Sequence, residues 1–291
     1  MELVQVGEKT YYIKNPTNIG IYKIDEENVY LIDTGNDKDA GKKILRIIAE
    51  KGWNIQGIIT THSHADHVGG NKVIQDRTNC IVLANKIEKA ITENPILESS
   101  FLYGGYPFKD IRNKFLCASE SSAIQIDNNL PDGLEYFSLK GHFFDMIGIK
   151  TSDDIYFLAD SLFSKDTITK YHLFYIYNIK EYLNTLDYLS GLDGKLYIPS
   201  HCEATSDIKE LININKDKIE EIANKIYNIC ENEMTFEEIL KCIFDEYDLT
   251  MNSNQYVLIG STIKSYLSYL FEENKLKYEF KNNKMLWKKT N

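Results

Sequence analysis

Cysteine is sparse in this chain and poorly placed for pairing. Cys80, Cys117, Cys202, Cys230 and Cys242 are odd in number and widely spaced, and no C-x-x-C pair occurs. That argues against a disulfide framework and against a zinc ribbon. Long apolar runs are missing too. No uninterrupted segment approaches the roughly 18 residues of a membrane span. No N-terminal stretch joins basic residues, an apolar run and a cleavage site. A soluble, cytoplasmic protein with no membrane partner is expected. Positive charge is also short. The 33 basic side chains face 43 acidic ones, a formal net charge of −10, which disfavours a general nucleic-acid surface. What is present is apolar material, 43% over 291 residues, enough for one large domain or two ordinary ones.

Histidine is scarce as well, six in all, yet five of the six fall into one pattern. It begins Thr60-Thr61-His62-Ser63-His64-Ala65-Asp66-His67-Val68-Gly69-Gly70. Gly57-Ile58-Ile59-Thr60 ahead of it reads as a short buried strand, so these side chains sit on a loop between a strand and a helix. His62 and His64 alternate and can point the same way. Asp66 and His67 follow at once and can serve a second point in space. Borderline Lewis acids such as zinc take imidazole and carboxylate donors in small shells. Three imidazoles and a carboxylate within six residues suit two adjacent metals better than one. Further on, His142 follows Gly141 and a strand-like 134–139, Asp160 ends an apolar strand at 155–159, and His201 follows a strand at 196–200. Alone, each has an ordinary reading as a hydrogen-bonded histidine or a turn residue. Three more donors at three strand ends, after a complete H-x-H-x-D-H, are not expected by chance. Cys202, beside His201, reads as a small buried residue behind the ligand.

With these residues in place, the chain resembles a metallo-β-lactamase superfamily hydrolase from about residue 10 to about residue 205. His62, His64, Asp66, His67, His142, Asp160 and His201 carry the likeness, and Leu31-Ile32-Asp33-Thr34-Gly35 is similar to the family's early strand and turn. The resemblance implies an α/β, four-layer αββα sandwich with metals at one edge, between the sheets. It implies a first metal on His62, His64 and His142, a second on Asp66, His67 and His201, and Asp160 bridging them. Two divalent ions are expected, zinc first, with manganese or iron as alternatives. Two such cations sharing a hydroxide provide a nucleophile at neutral pH and polarise a carbonyl or phosphoryl oxygen. Asp66 could also take the proton. The implied reaction is hydrolysis of an ester, thioester, lactone, amide or phosphoester of a small molecule. Several branches of the family fit less well. Flavodiiron proteins carry Glu at the place of His64. True β-lactamases usually lack the carboxylate that Asp160 supplies. Acyl-homoserine lactonases carry Tyr where Phe163 stands. Glyoxalase II-like thioesterases have Gly-His shortly after the ligand matching His142, where this chain has Phe143-Phe144-Asp145-Met146.

Outside the motif, strands are expected at 10–13, 20–24, 29–32, 55–60, 80–84, 123–126, 134–139, 146–150, 155–159 and 195–198, and helices at 37–49, 68–75, 86–93, 179–189 and 207–229. Within an irregular insertion at 85–122, Phe101, Tyr103, Tyr106 and Phe108 crowd around Gly104-Gly105. They read either as a substrate-covering flap or as a contact in a homodimer. Residues 1–206 are expected to be the catalytic domain. Residues 207–291 read as a helical, winged-helix-like domain: a Thr235/Glu238 capping box opens one helix, two more follow near 256–258 and 261–273, and Asn282-Asn283 turns a hairpin. Lys275, Lys277, Lys281, Lys284, Lys288 and Lys289 make that hairpin basic. Nucleic-acid processing is therefore the alternative, disfavoured because the third helix has no arginine.

Overall fold

The computed structural model describes residues 1–290. Strands β1 (Glu2–Gln5), β2 (Thr10–Lys14), β3 (Ile19–Lys23), β4 (Asn28–Ile32), β5 (Asn54–Ile59), β6 (Ile81–Ala84) and β7 (Ile124–Gln125) form one seven-stranded sheet in chain order. The first four run antiparallel through tight turns, and β4 to β7 run parallel. Parallel neighbours need crossovers, supplied by helices α1 (Lys38–Glu50), α2 (Ala65–Val68), α3 (Asn71–Thr78), α4 (Lys86–Glu93) and α5 (Ile96–Tyr103). A second sheet has the order β11-β10-β9-β8, from β8 (Leu134–Ser138), β9 (Ile147–Thr151), β10 (Ile155–Phe163) and β11 (Leu196–His201). Between β10 and β11 lie α6 (Lys165–Tyr171) and α7 (Ile179–Leu189). The chain closes with α8 (Lys209–Ile229), α9 (Phe236–Glu246), α10 (Ser253–Glu272) and a hairpin of β12 (Leu276–Lys281) and β13 (Lys284–Lys289).

Side-chain alternation along the strands generates the layers. In β3 and β4, Ile19, Ile21, Val29 and Leu31 point outward onto Ile44 and Ile48 of α1 and Val73 and Ile74 of α3. Their neighbours Tyr22, Tyr30 and Ile32 point the other way, onto Ile147, Ile149, Phe157 and Ile198 of the second sheet. In β10, Ile155 and Phe157 face that inter-sheet core, while Tyr156 and Leu158 face α7 and α8. The result is the expected αββα order. The outer cover of the second sheet includes α8, α9 and α10, which share one apolar core with β10 and α7. Asn215 of α8 seals this contact: its Nδ2 donates to Phe163 O at 2.8 Å and its Oδ1 accepts from Phe163 N at 3.1 Å. No described helix is long and apolar enough to cross a membrane.

Four expectations are corrected. The stretch around Phe101 is not a loop at first: α5 runs to Tyr103 and stops at Gly104, whose φ of +78° suits a glycine helix end. The helix after the histidine motif is two pieces, α2 and α3, parted at Gly69-Gly70. Asp160 does not end its strand. β10 continues to Phe163, past a register shift at Ala159, which has φ +47°. In the tail, one helix, α10, replaces the two expected. Gly260 lies inside it, where a Cβ would make ordinary contact, 3.4 Å from the Phe236 ring. The capping box of Thr235 and Glu238 is present as read. So is the Asn282-Asn283 turn, with φ of +51° and +59° at its two residues.

Candidate metal centre

All seven sequence-chosen donors converge at one edge of the inter-sheet space. His62 and His64 leave the end of β5, and His64 caps α2, which carries Asp66 and His67. This short helix is pressed against the turn after β4. A Cβ on Gly69 would run into the backbone of Asn36, and one on Gly70 would lie 2.5 Å from Thr34 O. From the second sheet come His142, in the loop after β8, Asp160, beyond the irregularity in β10, and His201, the last residue of β11. Burial is deeper than an edge loop would give: His62, His64, His67, His142 and Asp160 are all buried.

Two donor groups emerge. In the first, His64 Nδ1 lies 3.2 Å from His62 Nε2 and 3.1 Å from His142 Nε2. In the second, Asp66 Oδ2 lies 3.3 Å from His201 Nε2 and 3.6 Å from His67 Nε2. Asp160 stands between them. Its Oδ1 is 3.1 Å from His67 Nε2, and its Oδ2 is 3.2 Å from His201 Nε2 and 3.4 Å from His142 Nε2.

Other residues decide which nitrogen each ring presents. Asp33, at the end of β4 with φ +60°, accepts from Thr61 N at 2.8 Å, Thr61 Oγ1 at 2.7 Å and His67 Nδ1 at 2.7 Å. That places the proton of His67 on Nδ1 and turns Nε2 inward. His201 Nδ1 donates to Pro16 O at 2.8 Å with the same effect. Thr17 Oγ1 donates to Asp66 Oδ2 at 2.9 Å. Glu88 of α4 is buried and accepts from Ser63 and Asp145, which flank the two ligand loops. Glu98 of α5 is buried beside His64.

The electrostatics divide the rings. Burial pushes His62 and His64 well below the ordinary imidazole range and His142 to about 4, which leaves their lone pairs free. Burial alone would lower His67 and His201 as well, but Asp160 and Asp66 hold both well above that range. Burial would raise Asp66 and Asp160, yet the facing His67 and His201 hold both well below the usual carboxylate range. Burial, with Asp66 and Glu88 nearby, pushes Glu98 well up. This donor set fits divalent cations. Ring nitrogens of uncharged imidazoles face one another at 3.1–3.2 Å in the first group, and buried His67 Nε2 and Asp160 Oδ1 make no hydrogen bond. Imidazole nitrogens and carboxylate oxygens in such clusters are the donors zinc-like ions prefer. Cys202 stays outside: its thiol points to Leu162 O at 3.4 Å, and burial pushes it up to about 12.

Around the first group the walls are aromatic. Phe143 lies 4.2 Å and Tyr175 5.2 Å from the His64 ring, and Phe163 lies 5.9 Å from His142. Of the four aromatics singled out in the insertion, only Phe101 is linked to the centre among the described residues. It packs on Phe144 at 4.9 Å, which packs on Phe143 at 4.8 Å. Tyr103 packs on Phe108 at 5.5 Å, and Tyr106 lies under Arg112 and is 74% exposed. Sequence reasoning missed Glu88, Glu98 and the role of Asp33. A signal existed for the two glutamates: each falls on the buried stripe of its helix, with Ile91 and with Leu102.

Comparison with known proteins extends these observations. A family model described as the metallo-beta-lactamase superfamily matches residues 13–201. A curated hydroxyacylglutathione hydrolase from Rhodopseudomonas palustris (strain BisB18) is 30% identical over 129 residues, 44% of this chain and 42% of that protein. The match thus spans less than half the length of this relative. A second, from Nitrobacter hamburgensis, is 28% identical over 122 residues, 42% of this chain and 39% of that protein. In three dimensions, a metallo-beta-lactamase family protein from Thermus thermophilus superposes with a TM-score of 0.73 at 18% identity, covering 97% of this chain and 99% of that one. At this identity, the likeness speaks for the fold alone.

Proposed function

The chain belongs to the metallo-β-lactamase superfamily, and from that premise we propose that it is a dinuclear metal-dependent hydrolase of a small acyl ester or thioester. One observation carries the reading. Asp160 reaches a nitrogen of each donor group, at 3.4 Å to His142 and 3.1 Å to His67, so the two groups are spaced as neighbours sharing one carboxylate. In this reading His62, His64 and His142 would hold the first ion, Asp66, His67 and His201 would hold the second, and Asp160, placed between the two groups, would serve both. Two divalent ions, zinc first, would make water nucleophilic near neutral pH and polarise the substrate oxygen.

The protein's own groups do the rest. Asp33 and Pro16 keep His67 and His201 in the tautomer with Nε2 inward. Asp66 is the half-exposed carboxylate of the set, with 40% of its side chain accessible, and is the residue we assign to receive the proton of the attacking water. Thr17 steadies it with a hydrogen bond. Phe143, Tyr175 and Phe163 wall the first group and reduce water access, which strengthens the local electrostatics. The name shared by the curated relatives brings acyl thioesters to the front of the substrate classes. Phe143-Phe144 beside the site favours an apolar acyl group. We assign the chemistry to residues 1–206 and to residues 207–291 the covering of the second sheet. The tail's winged-helix-like outline carries no nucleic-acid role in this proposal. Lys281 is paired with Glu233 at 2.6 Å and Glu279 at 2.7 Å, and Lys289 with Glu231 at 2.5 Å, which removes much of the hairpin's free positive charge.

The test is turnover of a panel of S-acyl thioesters, aryl esters and a phosphodiester by zinc-loaded protein, before and after chelation. Thioester or ester hydrolysis that disappears with chelator and returns with metal is the expected result. Phosphodiester cleavage alone would transfer the chain to the nucleic-acid alternative. Two bound ions with no turnover of any substrate would refute a hydrolytic role.

A further inference from the structure

His64 turns one ring nitrogen toward the other imidazoles of the first donor group and the other nitrogen away. Nδ1 is the inward atom, 3.2 Å from His62 Nε2 and 3.1 Å from His142 Nε2. Nε2 is buried and has no hydrogen-bond partner. The carboxylate facing it belongs to Glu98 of α5, with Oε1 at 3.7 Å. Glu98 is 3% exposed, and among the described residues His64 is its one ion-pair partner. A buried carboxylate without a donor is costly, and so is a buried imidazole N–H without an acceptor. Each is the other's remedy. Closing the gap to the roughly 2.7–3.2 Å of an N–H···O hydrogen bond takes a movement of up to about 1 Å.

Three of the other rings show the same logic, and His142, whose outward Nδ1 is buried without a partner, does not. His67 leans on Asp33 at 2.7 Å, His201 on Pro16 O at 2.8 Å, and His62 Nδ1 lies 3.1 Å from Thr61 Oγ1. Those three supports come from the strands and turns of the two-sheet core. The support for His64 comes from the inserted helix instead. We propose that Glu98 is a positioning residue for the first metal: it accepts the Nε2–H of His64 and fixes the tautomer in which Nδ1 would ligate. The insertion then reaches the centre through a carboxylate one turn before Phe101, rather than through its exposed aromatics.

This inference rests on the metal-centre reading, and its test separates the two. Wild type, Glu98→Gln and Glu98→Leu are purified and checked for native circular dichroism. Zinc affinity is measured by competition with a chromophoric chelator, together with ions bound per chain and the absorption spectrum after cobalt substitution. Unfolding by denaturant is followed in excess chelator. Loss of a carboxylate that supports a ligating histidine typically weakens metal binding by about 10–100-fold. Glu98→Leu should do this to one of two ions and leave the other unchanged, with an altered cobalt spectrum. Glu98→Gln, whose amide oxygen can still accept, should show a smaller loss. In chelator, Glu98→Leu should unfold no earlier than wild type, because a buried polar group without a hydrogen-bond donor has been replaced by an apolar one. A merely structural glutamate predicts the opposite pair: earlier unfolding and unchanged affinity. That pair, or two ions bound by Glu98→Leu as tightly as by wild type, overturns the inference alone. A wild-type chain that takes up no ion overturns the metal centre and this inference with it.

Discussion

Replacing Glu88 by alanine tests whether one side chain holds the two loops of the first donor group together. Glu88 Oε2 accepts from Ser63 N at 2.9 Å and Ser63 Oγ at 2.7 Å, and Oε1 accepts from Asp145 N at 2.8 Å. Ser63 lies between His62 and His64, and Asp145 lies three residues after His142. Alanine strands two buried backbone N–H groups and a hydroxyl, at about 1–3 kcal/mol for each group left unpaired. Allowing for relaxation, a loss of roughly 3–5 kcal/mol is expected at pH 5. The loss must depend on pH. Burial pushes the Glu88 carboxyl up from 4.5 to about 7. The folded chain therefore keeps a proton that the unfolded chain releases. The stabilisation from Glu88 is full below about 4.5 and declines as pH rises through about 7. A shift of this size removes on the order of 3 kcal/mol once both states are ionised. The deficit of Glu88→Ala should thus shrink between pH 5 and pH 8. Glu88→Gln, which cannot ionise, should show the same flattening relative to wild type with a smaller deficit at pH 5. Denaturant unfolding at several pH values, with chelator present throughout, measures both. A deficit under about 1 kcal/mol, the lower end for a single unpaired group, or one that grows with pH, would refute the bracing argument.

Three further outcomes are expected. Asp160→Ala should lower zinc content below two per chain and reduce turnover by several orders of magnitude, because the shared carboxylate is gone; near-native turnover at saturating zinc would remove the bridge from the mechanism. Tyr103→Ala with Tyr106→Ala should leave kcat and KM for a small thioester close to wild type, since neither ring is linked to the centre in the way Phe101 is; light scattering shows in the same samples whether the pair serves a dimer instead. Changing Lys275, Lys277 and Lys284 to glutamine should not alter binding of labelled RNA or duplex DNA near physiological salt, which is expected to be weaker than micromolar; tight, salt-steep binding lost in the variant would revive the nucleic-acid alternative.

The donors were legible because their chemistry is local. An H-x-H-x-D-H run after a buried strand carries its meaning in six consecutive positions, and His142, Asp160 and His201 each follow a readable apolar strand. The layers were legible for the same reason, since alternation in β3, β4 and β10 sorts one face from the other. What failed was local too, but ambiguous. Gly260 falls between the two tail helices that the sequence suggests, yet α10 runs through it unbroken. Phe101 and Tyr103 gave weight to Gly104-Gly105, and the helix that precedes them was overlooked. Glu88 and Glu98 were overlooked for another reason, although each falls on the buried stripe of its helix. A glutamate in an amphipathic helix is ordinarily solvated, and its burial depends on loops that arrive from residues 62–64 and 142–145.

The two sheets are consecutive stretches of chain, the first complete by Gln125 and the second spanning Leu134 to His201. Neither donor group can be assembled from the first stretch alone, because one needs His142 and the other His201. On the ribosome, the histidine motif is therefore made well before it can hold an ion firmly. When the second sheet arrives it meets the first through apolar packing and through hydrogen bonds such as Asn18 N to Ser200 O and Thr10 Oγ1 to Thr151 Oγ1, and an ion held by donors from both sheets would add one more clasp between the two halves.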